Sequence, residues 1–322
     1  MNRVLVTGGA GFLGSHCVQR LLAETAAKIL VVDDFCATYP PVRKRANVAA
    51  WAGDPRVELR EQSIVDPRAM DPLFAAWRPT HVLHLAAHAG VRQSVARALE
   101  FEEVNVRGTL VLLEAAKRWP VERFVVASSS TVYGVGTPAP FREDAPWGPP
   151  LSPYGATKQA AESLAFTYHA LHGLPIVCVR PFSVYGSRIR PDLAVHVFAD
   201  AIMTGRPLPL LGDGSALRDF THVFDVCAGL LAALQAPAAV GQAINLGHEA
   251  PVAVRDLIAA LETRLGRRAN IDRRPANPSD LPLTCADLTK AGQLLGYRPG
   301  MSFDAGLDEF VAWYRATQAW LG

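Results

Sequence analysis

Tyr154 and Lys158 stand four residues apart in the segment Ser152-Pro153-Tyr154-Gly155-Ala156-Thr157-Lys158. Ser152 can cap a helix and Pro153 suits its first position, so the two side chains fall on one face, one turn apart. A free tyrosine titrates near ~10 and is a poor base at neutral pH, but a neighbouring ammonium favours the phenolate. The pair is a candidate general base for the hydroxyl of a sugar or alcohol. The run Ser128-Ser129-Ser130-Thr131 directly follows the apolar stretch Arg123–Ala127. Ligands of open α/β sheets bind beyond the carboxyl ends of strands, which is where these hydroxyls fall. Taken singly, a Tyr-x-x-x-Lys spacing and a polar turn are both common, and their weight comes from what surrounds them.

Near the other end of the chain, Val4-Leu5-Val6-Thr7-Gly8-Gly9-Ala10-Gly11-Phe12-Leu13-Gly14-Ser15 runs from a strand pattern through a glycine-rich turn into a helix pattern. Gly8 permits the tight turn, Gly11 lets the backbone approach a pyrophosphate, and Gly14 lets the helix pack closely on the strand. The phosphate of a dinucleotide would sit at the helix N-terminus, where unpaired N–H groups and the helix dipole favour an anion. The spacing G-x-x-G-x-x-G differs slightly from the commoner G-x-G-x-x-G, and a glycine turn without a ligand is the bland alternative. Asp33, ending the next strand pattern about ~20 residues on, tips the balance, because an acid there bonds ribose hydroxyls. It would also repel a 2′-phosphate, which favours NAD over NADP; a helix cap is its other reading. The positive nicotinamide ring would add to the tuning of Tyr154.

The elements needed to hold these groups are legible along the chain. Strand candidates are Arg3–Val6, Ile29–Val32, Val57–Arg60, His81–Leu85, Arg123–Ala127, Ile176–Arg180 and Ala243–Leu246. Most are near-continuous apolar runs, as strands buried on both faces are. Helix patterns at Ser15–Glu24, Val104–Arg118 and Pro153–Leu171 lie between them. Alternating strands and helices predict a doubly wound Rossmann-type α/β fold, a parallel sheet of about seven strands with right-handed crossovers. From Pro181 to Phe220 the chain is rich in Pro, Gly and Arg without regular alternation, and Val254–Leu265 and Phe303–Ala319 read as helices of a smaller C-terminal lobe. The expected division is residues 1–180 with a returning segment 222–249 for the dinucleotide, and 181–221 with 250–322 for the substrate. The segment Ala37–Trp51 reads as a surface loop or short helix.

With 322 residues, 50% hydrophobic and 19% charged, the chain has ample material for a core. A net charge of +2 gives no reason to expect nucleic acid or an anionic membrane as partner. Five scattered cysteines without a C-x-x-C pair read as buried thiols of a reducing compartment, with no metal site. The first strand pattern begins almost at Met1, and no apolar run reaches the ~20 residues of a membrane span, so a cytoplasmic location is expected.

Taken together, Thr7–Gly14, His84-Leu85-Ala86-Ala87, Ser128–Gly134 with Val132-Tyr133-Gly134, Tyr154–Lys158 and the late segment Arg218-Asp219-Phe220-Thr221-His222-Val223 resemble the extended short-chain dehydrogenase/reductase family of nucleotide-sugar epimerases and dehydratases. The resemblance covers nearly the whole chain. It implies NAD held by Gly8, Gly11, Phe12, Leu13, Gly14, Asp33, Ser63, Ile64, Leu85, Ala86, Ala87 and Asn105, together with Tyr154 and Lys158. It implies Ser129 as the hydroxyl that bonds the sugar 4-hydroxyl, Tyr154 as base and Lys158 as its tuner. Arg218 would meet the diphosphate of a UDP-sugar, and Asp280 resembles a late acid near the nucleotide. One departure concerns the adenine: the family often has Gly-Asp-Ile where this chain has Gln62-Ser63-Ile64, and Ser63 is a weaker acceptor than Asp.

Family members share oxidation at C4 and then diverge. The dehydratases carry Asp-Glu directly after the active-site hydroxyl residue, whereas Ser130 and Thr131 here are neither strong acids nor bases near pH 7. A 4-epimerase needs no further proton-transfer group, because the keto-sugar turns over and is reduced from its other face. The stretch Arg180–Ala194 resembles the uronate-specific 4-epimerases of the family, in which a V-Y-G turn precedes R-P-D-M-A, and His84–Ser94 shares that likeness. Ser183 and Arg190 would then face a sugar carboxylate, with Phe182, Ser130 and Thr131 beside it. An Arg–carboxylate pair gives bidentate specificity. The alternative is that Arg188 and Arg190 serve the diphosphate or the surface. The expected reaction is UDP-glucuronate to UDP-galacturonate; a UDP-glucose or UDP-N-acetylglucosamine 4-epimerase, a decarboxylase or dehydratase, a net oxidoreductase, and a non-catalytic sugar-nucleotide sensor are the competing readings. The family also commonly pairs the helices near Val104–Arg118 and Pro153–Leu171 into a four-helix bundle, which implies a homodimer.

Overall fold

The computed structural model describes residues 1–275 and 281–321, with side chains described as far as Thr317. From the N-terminus, β1 (Arg3–Thr7), α1 (Phe12–Glu24), β2 (Lys28–Asp33), α2 (Pro41–Ala49), β3 (Val57–Glu61), α3 (Pro67–Trp77) and β4 (His81–His84) alternate. Two short helices, α4 (Val91–Ala96) and α5 (Ala98–Glu102), lead through a π-helical turn at Glu103–Arg107 into α6 (Gly108–Arg118). Then come β5 (Arg123–Ala127), α7 (Pro153–His172), β6 (Ile176–Pro181), β7 (Ser183–Tyr185), α8 (Ala194–Thr204), β8 (Pro207–Leu211), β9 (Leu217–Arg218), β10 (Phe220–His222) and α9 (Val223–Gln235). The chain ends with β11 (Gln242–Leu246), β12 (Val252–Ala253), α10 (Val254–Leu265), β13 (Asn270–Arg274), α11 (Thr289–Leu295) and α12 (Phe303–Leu321).

Seven strands form one sheet in the order β11-β6-β5-β4-β1-β2-β3, and every pairing in it is parallel. This is the doubly wound Rossmann-type arrangement, and each strand read from sequence lies within one residue of its observed limits. The alternation of side chains along a strand explains the two layers. Leu5, Leu30, Val82, Phe124 and Ile176 point to one side and pack with Met70 and Phe74 of α3, Leu112 and Leu113 of α6 and Ala165 of α7. Val4, Val6, Val31, Leu83, Val125 and Val177 point to the other and pack with Cys17, Val18 and Leu21 of α1 and with Val226 and Leu230 of α9. Each fully buried side chain of this kind contributes roughly 1.5–3 kcal/mol of transfer free energy, so the sheet is a rigid platform. Its β3 edge is charged: Arg60 pairs with Glu58, and Arg45 with Glu61.

The order reverses between β4 and β1, and the loops leaving the carboxyl ends of the strands there open a cleft. The segment between Pro181 and Phe220 holds more structure than its composition predicts. Val195, His196, Phe198, Ala199, Ala201 and Ile202 of α8 are all buried, so that helix shows no one-sided pattern. Outside the main sheet, β8 pairs with β13, β7 with β10 and β9 with β12. Cys17, Cys178 and Cys227 are buried free thiols, while Cys36 and Cys285 are half-buried. Among the described residues no helix is long and apolar enough to cross a membrane.

Candidate active site

The glycine turn lies on the switch between β1 and β4. Gly8 has φ +72°, and a Cβ there would stand 2.7 Å from the backbone N of Ala86. At Gly14 a Cβ would meet the Gly8 carbonyl oxygen at 2.1 Å, so Gly14 lets α1 close onto the turn itself, not onto the strand. The N-terminus of α1 at Gly11 carries no side-chain cap, which leaves its first amides for an anion. Asp33, 5% exposed, accepts from the Ala10 amide at 3.0 Å and the Phe35 amide at 2.9 Å, and Lys44 lies 3.4 Å away. A carboxylate has about four acceptor positions; Oδ1 uses two on Phe35 and Lys44, so Oδ2, which takes the Ala10 amide, retains one for a ribose hydroxyl. Asn47 closes the other side by donating to the Ala10 carbonyl at 3.1 Å. The cradle, its uncapped helix and its acid fit a dinucleotide.

Lys44 is a site residue that sequence reading passed over. Arg43-Lys44-Arg45 reads as a solvated run, yet Lys44, Asn47 and Val48 share the buried face of α2. Their i, i+3, i+4 spacing was the available signal. Gly8, Gly11, Phe12, Leu13, Gly14, Asp33, Ile64, Leu85, Ala86 and Ala87 all line the cleft. Ser63 does not; its Oγ accepts from the Val65 amide at 3.5 Å, and Gln62 and Ile64 face the cleft instead. Asn105 also stands back from the wall. From the π-helical turn it accepts from the His88 amide at 2.8 Å, donates to the His88 carbonyl at 2.9 Å and donates to Thr157 Oγ1 at 3.0 Å. It thus ties the loop after β4 to α7. Asp280 lies outside the described residues.

At α7, Ser152 accepts from the Gly155 amide at 3.1 Å and Pro153 occupies the first turn. Tyr154 and Lys158 both line the cleft beside Ser128–Thr131. The Tyr154 ring stands edge-on to buried Phe101, with centroids 6.1 Å apart. Burial pushes the phenol upward; a hydrogen bond with Ser129 and the charge of Arg190 act in the opposite direction. Ser129 Oγ accepts from Thr131 N at 3.2 Å and from Thr131 Oγ1 at 3.0 Å, which leaves its own O–H to donate. Lys158, 7% exposed, donates to the Ala127 carbonyl at 2.7 Å, and burial lowers it to about 8. Arg190 thus joins Lys158, to which the helix spacing pointed, as a cation of the cleft, and its charge favours the phenolate.

Beneath the pair lies a closed polar layer. Glu162 accepts from Ser128 Oγ at 2.5 Å and from Nη2 of Arg180 at 2.5 Å, and Arg180 stacks over Tyr133. Thr7 and Thr109 hold His84 at 2.8 and 2.9 Å, and burial drives that imidazole down to about 3, so it is neutral.

Phe182, Ser183, Arg190 and Arg218 line the opposite part of the cleft, whose volume is about 530 Å³. Arg190 donates through Nε to Asp192 Oδ1 at 2.9 Å, and through Nη2 to Asp192 Oδ2 at 2.5 Å and to the Ala89 carbonyl at 2.8 Å. The fork that sequence reading assigned to a substrate carboxylate is therefore engaged within the protein. Within the Arg218-Asp219-Phe220 motif the roles divide. Arg218 and Phe220 face the cleft, whereas Asp219 is fully buried and accepts from the amides of His248, Glu249 and Ala286. Among the described residues, the acids lining the cleft are Asp33 and Asp34, at the end of β2.

The UDP-glucuronate 4-epimerase of Thermodesulfobacterium geofontis is 37% identical over 314 residues, which are 97% of this chain and 96% of that one. The crystal structure of UDP-glucuronic acid 4-epimerase from Bacillus cereus in complex with UDP-glucuronic acid and NAD matches with a TM-score of 0.92 at 35% identity, covering 98% of this chain and 99% of that one. A dTDP-glucose 4,6-dehydratase from Streptomyces venezuelae also reaches 0.92, at 32% identity over 99% of this chain and 98% of its own. The backbone alone thus does not separate epimerase from dehydratase chemistry. A family model spanning the glycine cradle, the Tyr154 helix and the last sheet strand matches residues 4–247, and the chain belongs to the NAD dependent epimerase/dehydratase family.

Proposed function

We propose that this chain is a UDP-glucuronate 4-epimerase, an NAD-dependent isomerase that forms UDP-galacturonate through a 4-keto sugar. The carrying observation is that Tyr154, Ser129, Ser183 and Arg190 line one cleft whose acids, among the described residues, are confined to the β2 end. Elimination would need an acid and a base near Tyr154; the hydroxyls of Ser130 and Thr131 supply neither. NAD, when bound, accepts the C4 hydride and returns it. Tyr154 takes the proton of the 4-hydroxyl, with the Ser129 O–H donating to the same oxygen, and gives the proton back after the sugar has turned over. Lys158 holds the end of β5 to α7 through the Ala127 carbonyl and keeps its remaining N–H groups for the cofactor side. Arg190, Ser183 and the hydroxyls of Ser130 and Thr131 face the C5 carboxylate, and Arg218 faces the diphosphate.

Epimerisation of UDP-glucose is the second reading, favoured by the neutralisation of Arg190 by Asp192. Incubation of the purified protein with UDP-glucuronate, followed by anion-exchange chromatography, is expected to yield UDP-galacturonate. Turnover of UDP-glucose or UDP-N-acetylglucosamine without any UDP-galacturonate would refute the uronate assignment. A continuous rise in reduced-nicotinamide absorbance would instead mark a net oxidoreductase.

The reading extends to assembly and place. Residues 1–180 and 222–249 serve the cofactor, and 181–221 and 250–322 the nucleotide sugar. Val111 of α6 and Leu164, Phe166 and Tyr168 of α7 are partly exposed apolar side chains, which supports a homodimer through a four-helix bundle of these two helices. Sedimentation at micromolar concentration is expected to give a dimer. The free thiols accord with a cytoplasmic location.

A further inference from the structure

We propose that Asp192 is a positioning residue that sets how firmly Arg190 grips the sugar carboxylate, holding it by one end so that the sugar can turn over. The inference rests on the uronate reading above.

The geometry is specific. Arg190 lines the cleft, while Asp192 and Gln93 do not; they stand behind it. Asp192 takes Nε at 2.9 Å and Nη2 at 2.5 Å, the edge of the guanidinium best suited to a carboxylate. Gln93 Nε2 donates to the same Asp192 oxygen, Oδ2, at 3.2 Å, and the Ala89 carbonyl takes Nη2 at 2.8 Å. Gly90 lies beside this arrangement at φ +125°, a backbone conformation that favours glycine. None of the described residues bonds Arg190 Nη1. A ligand carboxylate therefore meets a single donor nitrogen, Nη1, in place of the two-nitrogen fork, on a cation paired with its neighbour.

The reaction gives this a purpose. Reduction from the opposite face requires the 4-keto sugar to turn over inside the cleft, and the C5 carboxylate moves with the ring. A bidentate, charge-assisted pair in a water-poor cleft is among the strongest polar contacts available. It would hold the ring in its first orientation. A single contact to a neutralised guanidinium, shared with neutral hydroxyls, still orients the carboxylate but lets go of it.

Asp192→Asn tests the idea, because Asn keeps the shape and one acceptor while the Ala89 carbonyl continues to hold Nη2. In the NAD-loaded enzyme the variant is expected to bind UDP-glucuronate about tenfold more tightly, the worth of one charge-assisted hydrogen bond. Its kcat is expected to fall by a similar factor. A larger share of enzyme should stand as the 4-keto complex at steady state, read from reduced-nicotinamide absorbance. Binding of UDP-glucose, which lacks the carboxylate, should change less than twofold, and Asp192→Glu should keep wild-type behaviour. Weaker or unchanged UDP-glucuronate binding in Asp192→Asn would overturn the proposal, since it would mean that Asp192 merely keeps Arg190 in place. If Asp192→Asn does not fold, Gln93→Leu, which frees Asp192 of one tether without touching Arg190, is expected to loosen the Asp192 grip and shift binding and kcat the same way; no shift would overturn it. Absence of any UDP-glucuronate binding or turnover in the wild type would instead defeat the uronate reading itself.

Discussion

The carboxylate of Glu162 takes both Nε and Nη2 of Arg180, at 3.1 and 2.5 Å, one helical turn beyond Lys158 on α7. The pair is almost completely removed from water, with side-chain exposures of 0% for Glu162 and 3% for Arg180. Ser128, which precedes the cleft-lining hydroxyls of Ser129, Ser130 and Thr131, is bonded to the same carboxylate. The layer thus fixes the end of β5, the end of β6 and the body of α7 relative to one another. Such a pair is costly to break, because the surviving charge stays buried. Glu162→Gln is expected to lower the unfolding free energy by about 3–5 kcal/mol, measured by urea denaturation. The exposed pair Arg45–Glu61, with exposures of 58% and 55%, is the control: Glu61→Gln should cost less than about 1 kcal/mol. Equal costs at the two sites would contradict the view that the buried layer anchors the catalytic segment.

Lys158 carries a pH signature of the same burial. Its folded value is about 8 against an ordinary 10.5, with desolvation as the main cause. Between those pH values the unfolded chain binds a proton that the folded chain does not, so stability from this group rises with pH across the window. Below pH 8 both states are charged and the full cost of burial applies. Lys158→Met removes that cost. The variant's stability relative to wild type should be highest near pH 7 and decline by on the order of 3 kcal/mol as pH is raised from 8 to 10.5. The lost bond to the Ala127 carbonyl adds an offset that does not vary with pH, so the slope is the diagnostic. A flat difference across the window would show that Lys158 titrates normally.

The cofactor end offers a test of selectivity. Asp33 and Lys44 neutralise each other behind the ribose position, and Asp33 also holds the Ala10 amide of the glycine turn. Asp33→Asn should weaken NAD binding at least about tenfold by removing a charged acceptor. It should also leave Lys44 unpaired beside the ribose, which favours a 2′-phosphate. The ratio of NADP to NAD dissociation constants, from fluorescence titration of the cofactor-free protein, should therefore fall. An unchanged ratio would remove Asp33 from cofactor choice and leave it a support of the loop.

The sequence made the sheet legible because its strands are buried on both faces and so read as unbroken apolar runs, as in Arg123–Ala127. By the same logic α8 and α9, buried nearly all round, showed no amphipathic stripe. Chain spacing located the loops of the site but not the direction in which each side chain points. Ser63 turned back onto Val65 and Asn105 onto His88, while Gln62 and Lys44 face the cleft. Arg190 was legible as a cation of the cleft. Its engagement by Asp192, two residues on, depends on the bend of the intervening Pro191 and on the Ala89 carbonyl from another loop, which no local pattern encodes.

Arg190 has two consequences that can be separated. In the uronate reading it meets the sugar carboxylate, and its charge acts against the burial that raises the Tyr154 phenol. Arg190→Ala should cut kcat/KM for UDP-glucuronate by roughly 100-fold, the loss of a charged hydrogen bond in a water-poor cleft. NAD affinity should stay within about twofold, since Arg190 does not touch the glycine cradle. For UDP-glucose, which offers no carboxylate, the remaining effect should be on the base alone. Without the guanidinium Tyr154 holds its proton more tightly, so the rising limb of the pH–rate profile should move to higher pH, and Arg190→Lys should restore much of that shift. Equal losses in uronate turnover and NAD binding would show that Arg190 supports the fold of the cleft and neither recognises the sugar nor tunes the base.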